Sequence, residues 1–196
     1  MDFDAFTQGI EPGGLRSRSE IGILICYMLD YVNKPFSKED LIEIFQENGL
    51  ANYFETVNAI SELAKHDNLS YSDENKKYLV LTENGKLISS QLNNLLPLTT
   101  RQKATAAAAR LLQKRRIEKE NPVTISRQEG GGYQVTMTIT DGIRNLMSLS
   151  LFVPDISEAN AVKRTFHKNP ERVYSIMLAS VIGDKKMIAE ALEELK

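Results

Sequence analysis

The sequence predicts an α+β protein: an N-terminal half of helices with one short hairpin, then a long helix, then a small antiparallel three-stranded sheet covered by helices. Three observations carry this. Apolar residues between Ser17 and Lys65 recur at helical spacing. Residues 133–153 instead alternate, with Tyr133, Val135, Met137 and Ile139 set against Gln134, Thr136, Thr138 and Thr140, as in half-buried strands. The break at Leu96-Pro97-Leu98 stands between the two regimes.

Taken in order, residues 1–16 read as an irregular arm, because Pro12, Gly13 and Gly14 oppose a helix. Ser17 or Ser19 can cap a first helix to about Val32, with Ile21, Leu24, Ile25, Met28 and Leu29 as a broad apolar stripe. Ser37 caps a second helix, with Asp40 as an acidic variant of the capping box and Leu41, Ile44 and Phe45 as its core face. Asn48-Gly49 ends it, since glycine adopts the left-handed conformation at little cost. A third helix runs over 52–65. On a helical wheel Tyr53, Val57, Ile60 and Ala64 form its core side with Phe54 and Leu63 flanking, and Asn52, Glu55, Asn58, Ala59 and Glu62 its outer side. Residues 69–71 and 77–81 make a hairpin around Ser72-Asp73-Glu74-Asn75, and Thr82 caps a fourth helix to about Leu95.

A domain boundary is expected at 97/98. Beyond it a helix from Thr99 or Thr100 to about Glu120 has an alanine-rich middle of high helix propensity. Its Ala104, Ala107, Ala108, Leu111 and Leu112 suit either a close dimer seam or packing beneath the sheet of the same chain. Gly130-Gly131-Gly132 and Asp141-Gly142 turn a three-stranded meander. Helices at 157–169, 171–182 and 185–195 are then available to cover its apolar face. The expected domains are 1–16, an arm; 17–97, a winged helix-turn-helix; and 98–196, an α+β dimerisation or sensing domain.

Composition narrows the function classes. The chain has 196 residues, 42% hydrophobic and 26% charged, enough apolar material for a core and too much for disorder. Cys26 is the one cysteine and lies in an apolar run, which suits a buried thiol in a reducing cytoplasm. No apolar stretch is long enough to span a bilayer, and the acidic start Met1-Asp2-Phe3-Asp4 lacks a signal-peptide pattern. A cytoplasmic protein without membrane association is expected. Net charge is −2, unevenly spread: residues 1–97 carry 8 Lys/Arg against 15 Asp/Glu, and residues 98–196 carry 16 against 11.

The order helix, helix, glycine turn, helix, hairpin is that of a winged helix-turn-helix. The segment Tyr78-Leu79-Val80-Leu81-Thr82-Glu83-Asn84-Gly85-Lys86 resembles the wing exit of many bacterial winged-helix regulators, where a strand ends in Leu-Thr and Gly-Lys follows. Phe6-Thr7-Gln8-Gly9-Ile10-Glu11-Pro12-Gly13-Gly14, Ile25-Cys26-Tyr27, Glu47-Asn48-Gly49-Leu50-Ala51-Asn52-Tyr53-Phe54 and Lys168-Asn169-Pro170-Glu171 resemble a bacterial family described as a domain of unknown function. The resemblance covers most of the chain and fades in the last dozen residues. It implies a winged helix joined to a small α+β domain and a role in transcription, and it supplies no catalytic residues.

In a DNA-binding reading the third helix enters the major groove and Asn52, Thr56, Asn58 and Ala59 face base edges, asparagine being suited to adenine. Lys76 and Lys77 touch phosphate from the wing, and Ser37 and Lys38 from the start of the second helix. Lys114, Arg115 and Arg116 add phosphate contacts from the long helix, unless they simply answer the helix C-terminal dipole. Glu55 and Glu62 on the reading helix, with Asp73 and Glu74 at the wing tip, oppose phosphate.

An enzyme is not expected. His66 and His167 have no Cys, His or carboxylate partners at metal-ligand spacing, no glycine loop precedes Lys-Ser or Lys-Thr, and no cofactor is implied. The Ser and Thr residues from 136 to 150 suit an exposed polar sheet face. The expected protein is a DNA-binding regulator of double-stranded DNA, acting as a homodimer with an effector or protein partner left open. The alternative is a winged-helix adaptor that binds protein and no DNA.

Overall fold

The computed structural model describes residue 15 and residues 17–193. The expected arm at 1–16 lies outside the described residues except for Leu15, which is buried and donates its N–H to the Leu50 carbonyl at 2.9 Å. The chain divides into two compact units, residues 1–112 and 113–196.

In the first unit α1 (Arg18–Val32) is apolar nearly all round, with eight buried residues from Ile21 to Leu29, as suits a central core helix. Asn33 ends it in the left-handed conformation. β1 (Phe36–Ser37) leads directly into α2 (Lys38–Glu47), where Ser37 and Asp40 form a reciprocal capping box. Gly49, at φ 57°, turns the chain toward α3 (Tyr53–Lys65). β2 (Leu69–Tyr71) and β3 (Tyr78–Leu81) form the expected hairpin, and Thr82 caps α4 (Glu83–Leu92).

β1 went unforeseen. It pairs antiparallel with β3, Phe36 opposite Leu79 and Ser37 opposite Tyr78, so the hairpin belongs to a three-stranded sheet of order β1-β3-β2. Two residues carry no periodicity, so sequence pattern reveals Ser37 only as a cap. Phe36 anchors the strand, fully buried against the same core as Leu41 and Leu79.

A short 3-10 turn, Asn93–Leu95, precedes α5 (Leu98–Glu120). Ala104, Ala107, Ala108 and Leu111 are buried in the core of the first unit with α1 and α2 residues. The unit boundary therefore falls inside α5 rather than at Leu96-Pro97-Leu98. The alanine face is neither an open dimer seam nor a layer beneath the second sheet: small side chains let α5 lie close against its own unit.

In the second unit β4 (Val123–Arg127), β5 (Tyr133–Thr140) and β6 (Asn145–Val153) make the expected antiparallel meander, in order β4-β5-β6. α6 (Ile156–Lys168), α7 (Pro170–Ile182) and α8 (Lys185–Glu193) follow. Val135, Met137, Ile139 and Val153 from the sheet bury against Ala159 and Phe166 of α6, with Val173 and Tyr174 of α7 packed alongside. The other face is polar, and the Thr136 and Ser150 hydroxyls meet across strands at 2.8 Å. Asp141 organises the second turn. Its carboxylate accepts the N–H groups of Arg144 and Ile143, and those bonds, Arg144 first, hold it below the usual carboxylate range. No helix of the described residues is long and apolar enough to cross a membrane.

Candidate nucleic-acid interface

The turn between α2 and α3 is fixed from both sides. Asn48 donates from its side chain to the Ile44 carbonyl at 2.8 Å, and Leu50 donates its N–H to Phe45 at 2.9 Å. Asn52 then caps α3, its Oδ1 accepting the Glu55 N–H at 2.9 Å. That bond commits an atom the sequence reading aimed at bases.

The wheel drawn from the sequence is rotated with respect to the actual helix. Thr56 and Ala59, expected at base edges, are 0% and 2% exposed. Thr56 also donates its hydroxyl to the Asn52 carbonyl at 2.8 Å, within its own helix. Neither can reach a groove. The buried side is Thr56, Ala59, Ile60 and Leu63, and Leu63 passes Gly22 of α1 at van der Waals distance from where a Cβ would stand. Small residues at the helix crossing let α1 and α3 approach, which outweighs the larger apolar area of Tyr53 and Phe54. Those two aromatics are instead 46% and 72% exposed, packed edge-to-face with ring centres 5.5 Å apart.

The solvent side of α3 thus presents Phe54, Asn58, Ser61, Glu62 and Lys65, spaced along one stripe. Of the four expected base-reading residues only Asn58 is on it. Phe54, Ser61 and Lys65 were missed, since the pattern of a single helix carries no signal for its rotation against a neighbour. Glu55, feared as a repulsive charge, is held by Arg18 at 3.0 Å.

The hairpin tip is organised by Asp73, whose carboxylate accepts the N–H groups of Lys77 and Tyr78. One of the two acidic groups expected to repel phosphate there therefore works as a turn former. Lys76 sits at φ 51° and is exposed, and the Lys77 ammonium lies 5.3 Å from the Tyr78 ring centre. Both lysines remain at the surface, as expected. Ser37 does not: it is 4% exposed, inside β1, with its hydroxyl accepting the Asp40 N–H at 3.2 Å. Burial in the sheet and the capping bond exclude it as a phosphate contact. Lys38 is half-buried at the lip of an open cleft shared with Glu39, Glu43 and Glu47.

In the second unit, Lys114 is exposed and lines a groove against α6. Arg115 is half-buried, and that burial pulls its guanidinium below its usual value against the opposing pull of Glu118. Arg116 is exposed and pairs with Glu120 at 2.8 Å. The three successive cations thus point into different surroundings, and one of them is already partly neutralised.

A concavity of about 260 Å³ lies between α1, α3 and α4, floored by Gly22, Ile23, Ala59, Leu63 and Ile88 with Arg18 and His66 at its rim. Among the described residues no three His, Cys, Asp or Glu side chains gather where they could hold a metal ion.

No curated protein and no solved structure matches the chain. A family model does match, over residues 21–181, from α1 to near the end of α7. The chain belongs to the family described as a domain of unknown function, DUF4364.

Proposed function

We propose that the first unit is a winged helix-turn-helix that binds double-stranded DNA, and that the protein is a transcriptional regulator. The observation that carries this reading is the sheet order. With β3 between β1 and β2, the α2-turn-α3 pair and the β2–β3 hairpin grow from one small sheet. α3 is left with one free side and the hairpin tip with two surface lysines. In that arrangement α3 enters the major groove, Asn58 and Ser61 face base edges, Lys65 reaches phosphate, and Lys76 and Lys77 follow the backbone as a wing. The Arg18–Glu55 pair offsets one negative charge that would oppose this, while Asp73 keeps its charge and spends its carboxylate oxygens on the turn.

A second reading, a protein-binding adaptor, is favoured by one feature. Glu39, Glu43 and Glu47 flank α3 on the α2 side, and the Tyr53–Phe54 pair beside them is exposed. Aromatic anchors and acidic rims suit a protein partner.

Binding titrations with a mixed-sequence duplex at several salt concentrations separate the two. The DNA reading expects Lys76→Ala with Lys77→Ala to weaken binding equally across sequences. Asn58→Ala should instead alter which sequence is preferred. Absence of binding by the wild type even at low salt would leave the adaptor reading standing.

Within the DNA reading, the chain works as a cytoplasmic homodimer, since two half-sites call for two copies. With the alanine face buried, the edge of β6 is the surface we assign to pairing. It is nine residues long, without charge or proline, and unpaired on one side among the described residues. Sedimentation as a 22.1 kDa monomer at micromolar concentration would remove this element.

A further inference from the structure

We infer that the groove between the C-terminal part of α5 and α6 is a second DNA-backbone site, in which Lys163, Arg164 and Lys168, assigned no role from the sequence, join Lys114. The inference rests on the DNA reading above and adds to it a phosphate-binding surface in the second unit.

The groove measures about 460 Å³. Lys163, Arg164, His167 and Lys168 follow one another on α6 at spacings that place them on adjoining strips of one side. The core residues Ala159 and Phe166 occupy the other side, so burial of Phe166 sets the direction in which the cations face. Lys114 lines the groove from α5, and Glu118 is its one carboxylate. His167 fixes the two helix ends together, its Nε2 standing 2.8 Å from the Asn121 carbonyl. The carbonyl accepts, so Nε2 carries the proton and Nδ1 is left over.

Cations near a helix C-terminus are common and answer the helix dipole. What sets this cluster apart is how its charges are used. In the same unit Arg116, Arg144 and Lys186 each have a carboxylate within reach, Glu120, Asp141 and Glu190. Lys163, Arg164 and Lys168 form no ion pair or side-chain hydrogen bond among the described residues. They converge with Lys114 on one depression, a local concentration of positive charge that attracts an anionic partner.

Arg164, Lys168, Lys114 and Glu118 are exposed, so the groove is an open channel rather than an enclosing pocket. Small-molecule sites bury most of their ligand, which an open channel does not. Long, mobile cations along an open channel suit a phosphodiester backbone, whose charges recur along its length.

The test uses the full chain and a short duplex of mixed sequence, with affinity measured across a salt series. Lys163→Ala with Arg164→Ala removes two contacts. The slope of log affinity against log salt should flatten by roughly 1.8, about 0.9 per phosphate. Lys168→Gln alone should flatten it by about half as much. Circular dichroism checks that each variant folds, and the wing pair Lys76→Ala/Lys77→Ala serves as reference. If the groove variants keep the wild-type slope while the wing variant loses affinity, the groove inference is wrong and the winged-helix reading survives. If the groove variants flatten the slope while the wing and Asn58 variants change nothing, the groove holds and the winged-helix reading falls. Wild type that ignores DNA at low salt overturns both. Inorganic phosphate alone, at matched ionic strength, should not raise the melting temperature. A rise abolished by Lys163→Ala/Arg164→Ala would assign the groove to a small anion and overturn the inference.

Discussion

Gly85 stands in the third position of α4, where ordinary helix energetics invite replacement. In an exposed helix interior Gly→Ala gains about 1 kcal/mol. Here the sign should reverse. A Cβ on Gly85 would lie 2.3 Å from the Asn68 carbonyl oxygen and 2.5 Å from Leu81 Cδ1. The leucine can rotate, but the carbonyl is held. It accepts the Thr82 N–H at 3.2 Å, and the Thr82 hydroxyl donates to the neighbouring Asp67 carbonyl at 2.7 Å. Relieving the clash must therefore move the base of the β2–β3 hairpin or the start of α4. Overpacking of this kind costs roughly 1–3 kcal/mol, enough to exceed the propensity gain. Set against that gain, the net loss is about 1 kcal/mol, which lowers Tm by roughly 4–8 °C in a unit of about 100 residues. Gly130→Ala is the matched reference, since nothing lies within 4 Å of its Cβ position. It should stay within about 0.5 kcal/mol of wild type. Thermal melts of both variants decide the matter. A Gly85→Ala protein as stable as wild type, or more so, refutes the argument that close approach rather than chain freedom dictates glycine here.

Two further outcomes follow from the geometry. Ser37→Ala removes half of a capping box, and the Ser37 N–H to Asp40 bond at 2.8 Å then acts alone, so denaturant melts should show a loss of about 1 kcal/mol. The same variant should leave the salt slope of any DNA binding untouched, because Ser37 is buried; a flattened slope would return it to the phosphate contacts. The Cys26 thiol is pushed from its ordinary 9.0 up to about 12 by burial first and Asp30 second. The folded protein then keeps a proton that the unfolded chain loses, so this group's contribution to stability is intact below pH 9.0 and declines as pH rises toward about 12. At pH 8 an aromatic disulfide reagent should label native protein at least about 1,000-fold more slowly than unfolded chain, and equal rates would show the thiol to be accessible.

The sequence by itself determined most of the local structure, because the signals involved are local. Ser37 with Asp40, Asn48-Gly49, Thr82 and Asp141-Gly142 mark ends and turns through bonds to their own neighbours. The alternation of residues 133–139 assigned the buried face of β5 correctly because a strand has only two faces. A helix has no such binary choice, and there the reading erred. Which strip of α3 is buried was decided by how closely α1 and α3 can approach at Gly22 and Ala59, a property of a helix pair and not of one helix. That single rotation moved Thr56 and Ala59 inward and Phe54 outward, and so redrew the candidate interface. Tertiary structure alone also supplied β1, which exists only because β3 lies beside it. It placed the alanine face of α5 in the first core, and it brought Lys114 to Lys163, Arg164 and Lys168 across roughly fifty residues of chain. Local bonds can be read along the chain; helix rotation, partner choice and the gathering of distant charges depend on packing between elements.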